Sequence, residues 1–348
     1  MHVMAGAPQG GAENIFLESV LALSEAPVAQ YVVTRPNNAF RLEQLHASNI
    51  PVTTAKFDRF IPWPTRRALR TAIASFDPDI IQYWMGRAGM FATRGRAINI
   101  GWYGGYYKRA RFSACDYHIG LTEDLIRHIK DQGVDSAHAA LIHTYAEFET
   151  VPPTSRASLQ TPENAPLLLT LARLHTKKGL DIALNALTQI PEAYLWIAGE
   201  GPLEQELIDL TTRAGLTSRV RFLGWRDDRS ALLGAADICV FPSRYEPFGT
   251  VMVDAWAANT PLIAAAAAGP KAYVKTEENG LLIDVDDTDG LVHAIKRLLN
   301  DKELRTKLIQ GGSATYQSKF TKDVFIKDSL DFYQRILNDA EAKSAALD

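Results

Sequence analysis

Two carboxylates eight positions apart, Glu246 and Asp254, stand on either side of the turn Pro247-Phe248-Gly249 in the stretch Ser-Arg-Tyr-Glu-Pro-Phe-Gly-Thr-Val-Met-Val-Asp-Ala-Trp-Ala, residues 243–257. An apolar strand, Ile238 to Phe241, runs into this turn, and a helix leaves it near Thr250. The first amides of a helix have no intrahelical acceptor, so Phe248, Gly249 and Thr250 would present unpaired N–H groups suited to phosphate oxygens. Glu246 precedes that anion site and Asp254 follows it by about one helical turn. A ligand with a phosphate in the middle and hydroxyl-bearing groups at both ends, such as a nucleotide sugar, would meet both acids. The same pair reads equally as a solvated loop acid and a helix-face acid.

A second stretch bears on that choice. In Thr-Leu-Ala-Arg-Leu-His-Thr-Lys-Lys-Gly, residues 170–179, a strand ends at Arg173, and Lys178 follows just before a helix. A planar guanidinium and a point charge together suit a diphosphate without a metal. Read as solvated charges, they would sit at a helix start, where cations are disfavoured by the macrodipole; an anion there removes the mismatch. Gly199-Glu200-Gly201-Pro202 forms a strand–turn–helix junction with its proline in the first helical turn. Gly10-Gly11-Ala12-Glu13 opens a helix after the first strand, where glycine lets a ligand approach the backbone.

The elements that must carry these residues follow from hydrophobic patterning. Short β-branched or aromatic runs alternate with amphipathic stretches, the pattern of parallel sheets wrapped by helices. Strands are expected at 31–34, 80–84, 98–102, 117–121 and 139–142, with helices at 12–24 and 65–76. Periodicity is then lost over 146–166, which holds Pro152, Pro153, Pro162 and Pro166. It resumes with strands at 167–172, 193–198, 220–223 and 238–241 and helices at 179–189, 202–214 and 228–235. The expected organisation is an α/β chain of two Rossmann-like domains able to face a shared cleft, at 1–150 and 166–322, with a linker at 151–165 and a C-terminal helix at 323–348.

Together these residues resemble family 4 of the retaining glycosyltransferases, of GT-B architecture, and the resemblance extends over nearly the whole chain. It rests on Gly10 to Glu13, Arg173 to Gly179, Gly199 to Pro202, Val220 to Gly224 and Ser243 to Ala257, in matching order and spacing. It implies that the domain at 1–150 takes the acceptor and that at 166–322 the donor, that the C-terminal helix returns to the first domain, that Arg173 and Lys178 hold the donor diphosphate and that Glu246 holds hydroxyls of the transferred sugar. Gly11, Gly199, Leu223, Phe248, Gly249 and Thr250 complete the donor site, and Glu246, Arg173 and Lys178 are the catalytic set. Asp254 stands where the family usually has a second Glu, on the ribose, and is one methylene shorter. The family's first-domain histidine is unmatched: the corresponding segment is Gly101-Trp102-Tyr103-Gly104-Gly105-Tyr106-Tyr107-Lys108, and Tyr103, Gly104, Gly105, Tyr106 and Lys108 become the acceptor-side candidates.

The implied activity is transfer of a hexose from a nucleotide-diphosphate sugar, a UDP-sugar by preference, to a saccharide or lipid-linked glycan in cell-envelope polysaccharide or lipopolysaccharide synthesis, with no cofactor and no metal. A GT-B-like nucleotide-sugar epimerase or hydrolase and a non-catalytic nucleotide-sugar-binding protein are the alternatives. A net charge of −3 gives no signal for nucleic acid. Two cysteines, Cys115 and Cys239, lie in segments read as buried strands and are expected as free thiols in a reducing compartment. The longest apolar run, 262–268, is far short of a membrane span, so a cytoplasmic protein is expected, with contact at the inner face of the membrane open. His118 reads as a satisfied core residue and Asp77-Pro78-Asp79 as a turn rather than a metal motif.

One anomaly remains. Between Lys56 and Arg111 stand eleven basic residues against three acids, a local +8, with Trp63, Trp84, Trp102, Tyr103, Tyr106 and Tyr107 interleaved. Such a segment suits anionic lipid headgroups or a phosphorylated glycan, or is a solvated basic face over core aromatics.

Overall fold

The computed structural model describes residues 1–8, 10–148 and 151–345, and the chain divides into two compact units: Met1–Tyr145 with Lys322–Asp348, and Ala146–Thr321. In chain order the first unit holds β1 (His2–Met4), α1 (Gly11–Leu23), β2 (Val32–Thr34), α2 (Ala39–Ala47), β3 (Val52–Thr54), α3 (Trp63–Phe76), β4 (Ile80–Trp84), α4 (Met85–Gly89), β5 (Ile98–Tyr103), β6 (Tyr117–Gly120), α5 (Glu123–Asp131) and β7 (Ala139–Leu141). Its strands form one parallel sheet in the order β3-β2-β1-β4-β5-β6-β7. The second unit holds β8 (Leu167–Leu171), α6 (Leu180–Leu187), β9 (Tyr194–Ala198), α7 (Glu204–Arg213), β10 (Val220–Phe222), α8 (Arg229–Ala235), β11 (Ile238–Phe241), α9 (Thr250–Ala257), β12 (Leu262–Ala265), α10 (Ala268–Tyr273), β13 (Leu281–Ile283), α11 (Thr288–Asn300) and α12 (Lys302–Lys319). Its sheet is parallel in the order β10-β9-β8-β11-β12-β13.

Parallel strands are covered on both faces, which is why the sequence writes them as continuous apolar runs. In the second unit Leu168, Leu195, Ile197, Val240 and Ile263 of the sheet pack with Leu184 and Leu187 of α6 and Leu291, Ile295 and Leu298 of α11. In the first, Val3, Val33, Ile81 and Tyr83 pack with Leu69 and Ala72 of α3. The last helix, α13 (Lys322–Ala345), belongs to the first unit. Phe325 lies 5.3 Å from Tyr145, Phe332 meets Tyr117 edge-on at 6.1 Å, and the Tyr333 hydroxyl donates to Gln82 at 2.9 Å.

The structure refines some sequence expectations and corrects others. The stretch read as a linker is tied to the second unit: Arg156 donates to the carbonyls of Ala235, Glu163 and Ala165, and Thr161 accepts from the buried Trp196 indole at 2.9 Å. The expected first-domain end at 150 and the last three residues of the expected C-terminal helix fall outside the described residues. β3 was not anticipated, being three residues long with two threonines. Cys115 lies in the turn before β6, not in a strand, whereas Cys239 is buried in β11. Asp77 ends α3 in the left-handed conformation (φ 46°), and Arg96 meets Asp77 at 2.7 Å and Asp79 at 3.7 Å, so this Asp-Pro-Asp is a turn closed by a cation.

His118 is buried in β6, edge-on to Tyr103 at 5.7 Å, a core residue as expected, but its Nδ1 has no hydrogen-bond partner among the described residues. Burial, reinforced by Arg109 and His138, brings its pKa from the ordinary 6.5 down to about 4. The unfolded chain therefore takes up this proton first as pH falls. Stability from a neutral His118 is fully present above pH 6.5 and is lost between 6.5 and about 4. In thermal unfolding the Tm of His118→Phe should fall less steeply than wild type across that window; parallel slopes would contradict the buried neutral imidazole.

Candidate functional site

The strand order of the second unit reverses at β8, from which β9 and β10 extend to one side and β11, β12 and β13 to the other. Loops leaving the carboxyl ends of strands diverge at such a point, and that is where open α/β sheets bind ligands. The two loops there are those following β8 and β11, which contain Arg173, Lys178 and Glu246.

After β8 the chain passes Arg173 and makes one 3₁₀ turn, Thr176–Lys178, capped by the His175 ring, which accepts from the Lys177 amide at 3.2 Å. Gly179 then enters α6 with φ +61°, and a Cβ there would clash with the Pro242 carbonyl after β11. That close approach lets the Arg244 and Tyr245 amides donate to the Lys177 carbonyl at 2.8 and 3.2 Å. Arg244 clamps the junction, reaching Asp181 at 2.8 and 2.6 Å, the Thr176 carbonyl at 2.8 Å and Asp286 at 2.5 Å. Its neighbour carboxylates hold its pKa above the ordinary arginine value. The outcome is a half-buried ion pair between the Lys178 ammonium and the Glu246 carboxylate. The sequence reading placed these two on different parts of one ligand; the structure places them against each other. Arg173 is exposed and has no hydrogen bond or ion pair among the described residues.

Beyond Glu246, Phe248 is buried and Gly249 (φ +96°) caps α9. The amides of Phe248, Gly249 and Thr250 donate to no acceptor among the described residues, and the first turn of α9 has no acid. Asp254 is in a different environment. It is buried, with the Arg229 guanidinium 3.7 Å away. Burial raises its carboxyl pKa and Arg229 lowers it.

The ends of β8, β9 and β10 are drawn together on the same rim. Gly199 bridges Gly224, donating to its carbonyl at 2.7 Å, and Leu223 donates to Ile197 at 2.9 Å. A Cβ on Gly199 would clash with the Ala172 carbonyl, so this glycine allows β9 to close over the residue preceding Arg173. The half-buried Leu223 is thereby held beside the turn at Gly224.

In the first unit Gly11 starts α1, and a Cβ there meets nothing within 4 Å, so its backbone stands open. The loop before it is pinned by two buried side chains. Glu13 accepts from the Ala7 amide at 2.7 Å, and Arg41 donates to the Ala7 and Pro8 carbonyls at 3.0 and 3.3 Å. Sequence reasoning missed Arg41, whose partner loop is more than thirty residues away. Among the acceptor-side candidates Tyr103 is a core residue, with its ring packed on Phe112 at 4.4 Å, and is withdrawn from any surface. Tyr106 is half-buried and its hydroxyl donates to Asp124, which also holds Arg127 at 2.7 Å. Gly104 is half-buried, Gly105 is buried and Lys108 is exposed. Among the described residues no three His, Cys, Asp or Glu side chains gather as a metal site would require, and no helix is long and apolar enough to cross a membrane.

Residues 152–315 match the family model described as glycosyl transferases group 1. The chain is 32% identical to the lipopolysaccharide core biosynthesis glycosyltransferase LpsD of Rhizobium meliloti, over 96% of this chain and 98% of that one. It is 31% identical to LpsE of the same organism and description, over 90% and 93%. The chain belongs to the glycosyltransferases. Among solved structures it is similar to Anabaena Alr3699/HepE in complex with UDP and glucose, with a TM-score of 0.82, 20% identity and coverage of 96% and 98%. The fold of this glycosyltransferase is GT-B, with two parallel-sheet Rossmann-like units.

The Asp254 environment has a measurable consequence. Replacing Arg229 with Met leaves a buried carboxylate without its cation and should cost roughly 1–3 kcal/mol of stability. Adding Asp254→Asn should recover part of the loss in denaturant unfolding. A double variant no more stable than Arg229→Met would show that the two side chains are not coupled.

Proposed function

We propose that this glycosyltransferase is a retaining, metal-independent enzyme of family 4 that transfers a hexose from a UDP-sugar to a hydroxyl of a saccharide or lipid-linked glycan in lipopolysaccharide core assembly, at the inner face of the cytoplasmic membrane. The observation that carries it is the arrangement at the β8–β11 switch point: the Lys178–Glu246 pair, with Arg173 and three amides at the start of α9 that have no partner among the described residues. The relatives' description as lipopolysaccharide core glycosyltransferases supports the acceptor class.

In this reading the diphosphate lies against Arg173, Lys178 and the Phe248, Gly249 and Thr250 amides, which stabilise the charge that develops as the sugar C1–O bond breaks and its electron pair passes to the phosphate oxygen. Glu246 accepts from hydroxyls of the transferred hexose. Its pairing with Lys178 gives both groups a fixed place before substrate arrives and links the sugar contact to the phosphate contact. The acceptor oxygen forms the new bond to C1 on the departing face, and its proton goes to the donor phosphate oxygen, so configuration is retained. Asp254 takes the ribose, with Leu223 and Gly199 beside the base. Gly11 offers backbone to the donor, and Gly104, Gly105, Tyr106 and Lys108 serve the acceptor.

Arg173→Ala and Lys178→Ala should each lower kcat/KM by roughly a hundredfold or more, as loss of one electrostatic donor does. Glu246→Gln should impair transfer while UDP binding, measured by calorimetry, changes little, whereas Asp254→Asn should weaken UDP itself. Because Lys178 and Glu246 touch, the losses in their double variant should be less than additive in free energy. Activity should persist in EDTA, and the product anomer seen by NMR should match the donor. Wild-type rates in Arg173→Ala, strict dependence on a divalent ion, or an inverted product would each overturn the corresponding part of the assignment.

A further inference from the structure

The +8 segment resolves into two kinds of surface. Trp84, Trp102 and Tyr103 are buried core residues, with the Trp84 and Trp102 rings in tilted contact at 4.8 Å, so they offer nothing to a partner. From the loop after β3 to the first residue of α3, in contrast, three large apolar side chains face solvent: Phe60 is 88% exposed, Ile61 54% and Trp63 65%. Single exposed apolar residues are ordinary; three within four positions form a patch.

The patch is built, not loose. The Asp58 carboxylate accepts from the Phe60 and Ile61 amides at 2.7 and 2.9 Å, which fixes the turn. Beneath it Phe57 is buried, and its amide donates to the Thr65 hydroxyl at 3.0 Å. α3 then buries Thr65, Leu69 and Ala72 and turns Arg66, Arg67 and Arg70 to solvent. Residues 56–70 hold five cations against the single carboxylate Asp58, a net +4. Arg66 and Arg67 lie near the amino end of α3, whose first turn has no acid, so the helix dipole disfavours them and favours an external anion. Beside Trp63 and Arg67 opens a hollow of about 390 Å³ lined also by Tyr31, Thr53 and Thr71, with room for a polar headgroup.

An apolar tip ringed by cations is the chemistry of an interfacial anchor: rings enter the headgroup boundary while arginines meet lipid phosphates. We infer that the Phe57–Trp63 turn and the exposed face of α3 form a membrane-docking wedge for an anionic bilayer. The wedge deepens the membrane-side part of the proposed function and rests on it for its purpose. β3 is the edge strand of an all-parallel sheet, so the wedge leaves the same carboxyl rim as the loops carrying Gly11 and Gly104 to Lys108. A bilayer held there would bring lipid-linked glycan to the rim that bears the acceptor candidates.

The test is co-sedimentation of the full chain with phosphatidylglycerol-containing and pure phosphatidylcholine vesicles, with no sugar present. Anionic vesicles should bind more tightly, and binding should weaken as salt rises from about 0.05 M to about 0.5 M. Arg66→Glu with Arg67→Glu and Arg70→Glu should weaken binding by more than about tenfold. Phe60→Ser with Ile61→Ser should weaken it by about tenfold with every charge retained. The single Phe60→Ser variant, changing a solvent-facing side chain, provides a fold-safe check, and unchanged UDP binding and Tm show that the second unit and the fold are intact. Equal binding to both vesicle types, full binding by the serine variants, or displacement by millimolar inorganic phosphate would each overturn the wedge. Loss of UDP binding in the wild-type chain would count against the donor reading alone.

Discussion

The contact on which the candidate site depends is backbone against backbone at the carboxyl rim of the second sheet. Gly179 lies against the Pro242 carbonyl and Gly199 against that of Ala172, distances that any side chain would forbid. The first contact brings the loop after β8 onto the loop after β11, so that Lys177 accepts two amides from Arg244 and Tyr245 and Lys178 reaches Glu246 across 68 residues of sequence. The second closes β9 over the approach to Arg173. Side-chain chemistry is thus a consequence of main-chain proximity, and Arg244, with its two carboxylate partners, keeps the junction in register.

In the proposed donor site, the pair at this junction would let a cation and an anion serve one ligand. A lone Glu beside a diphosphate site would repel the donor; joined to Lys178 it is locally neutralised and still has oxygen lone pairs for sugar hydroxyls. Asp254 is treated differently, buried and answered by Arg229, which gives the two acids distinct electrostatic settings despite their eight-residue spacing.

Much of the fold was legible because parallel strands buried on both faces read as nearly continuous apolar runs, as in Leu167–Leu171, broken only by Thr170, and Ile238–Phe241. The proposed site residues of the second unit stand out in the sequence by type and order, since cations at a strand end and amides at a helix start have few structural uses. Their pairing does not, because it arises from loop contacts between strands distant in sequence; the same holds for Arg41 on the Gly11 loop and for Arg229 on Asp254. β3 was missed because three residues are too few to show alternation. The basic segment misled in a specific way: spacing cannot distinguish Trp84 and Trp102, which end buried strands, from Trp63, which begins a helix facing solvent. Phe60 and Ile61 carried no signal at all until their exposure was seen.

The central claim is that the β8–β11 switch point binds the donor through Arg173, the Lys178–Glu246 pair and the start of α9. A crystal structure with a non-hydrolysable UDP-sugar analogue tests it most directly. The account predicts the diphosphate against the Phe248, Gly249 and Thr250 amides within hydrogen-bond reach of Arg173, Lys178 turned to a phosphate oxygen, and a sugar hydroxyl on Glu246. A diphosphate bound elsewhere, with Arg173 still free in solvent and the Lys178–Glu246 pair untouched, would contradict it.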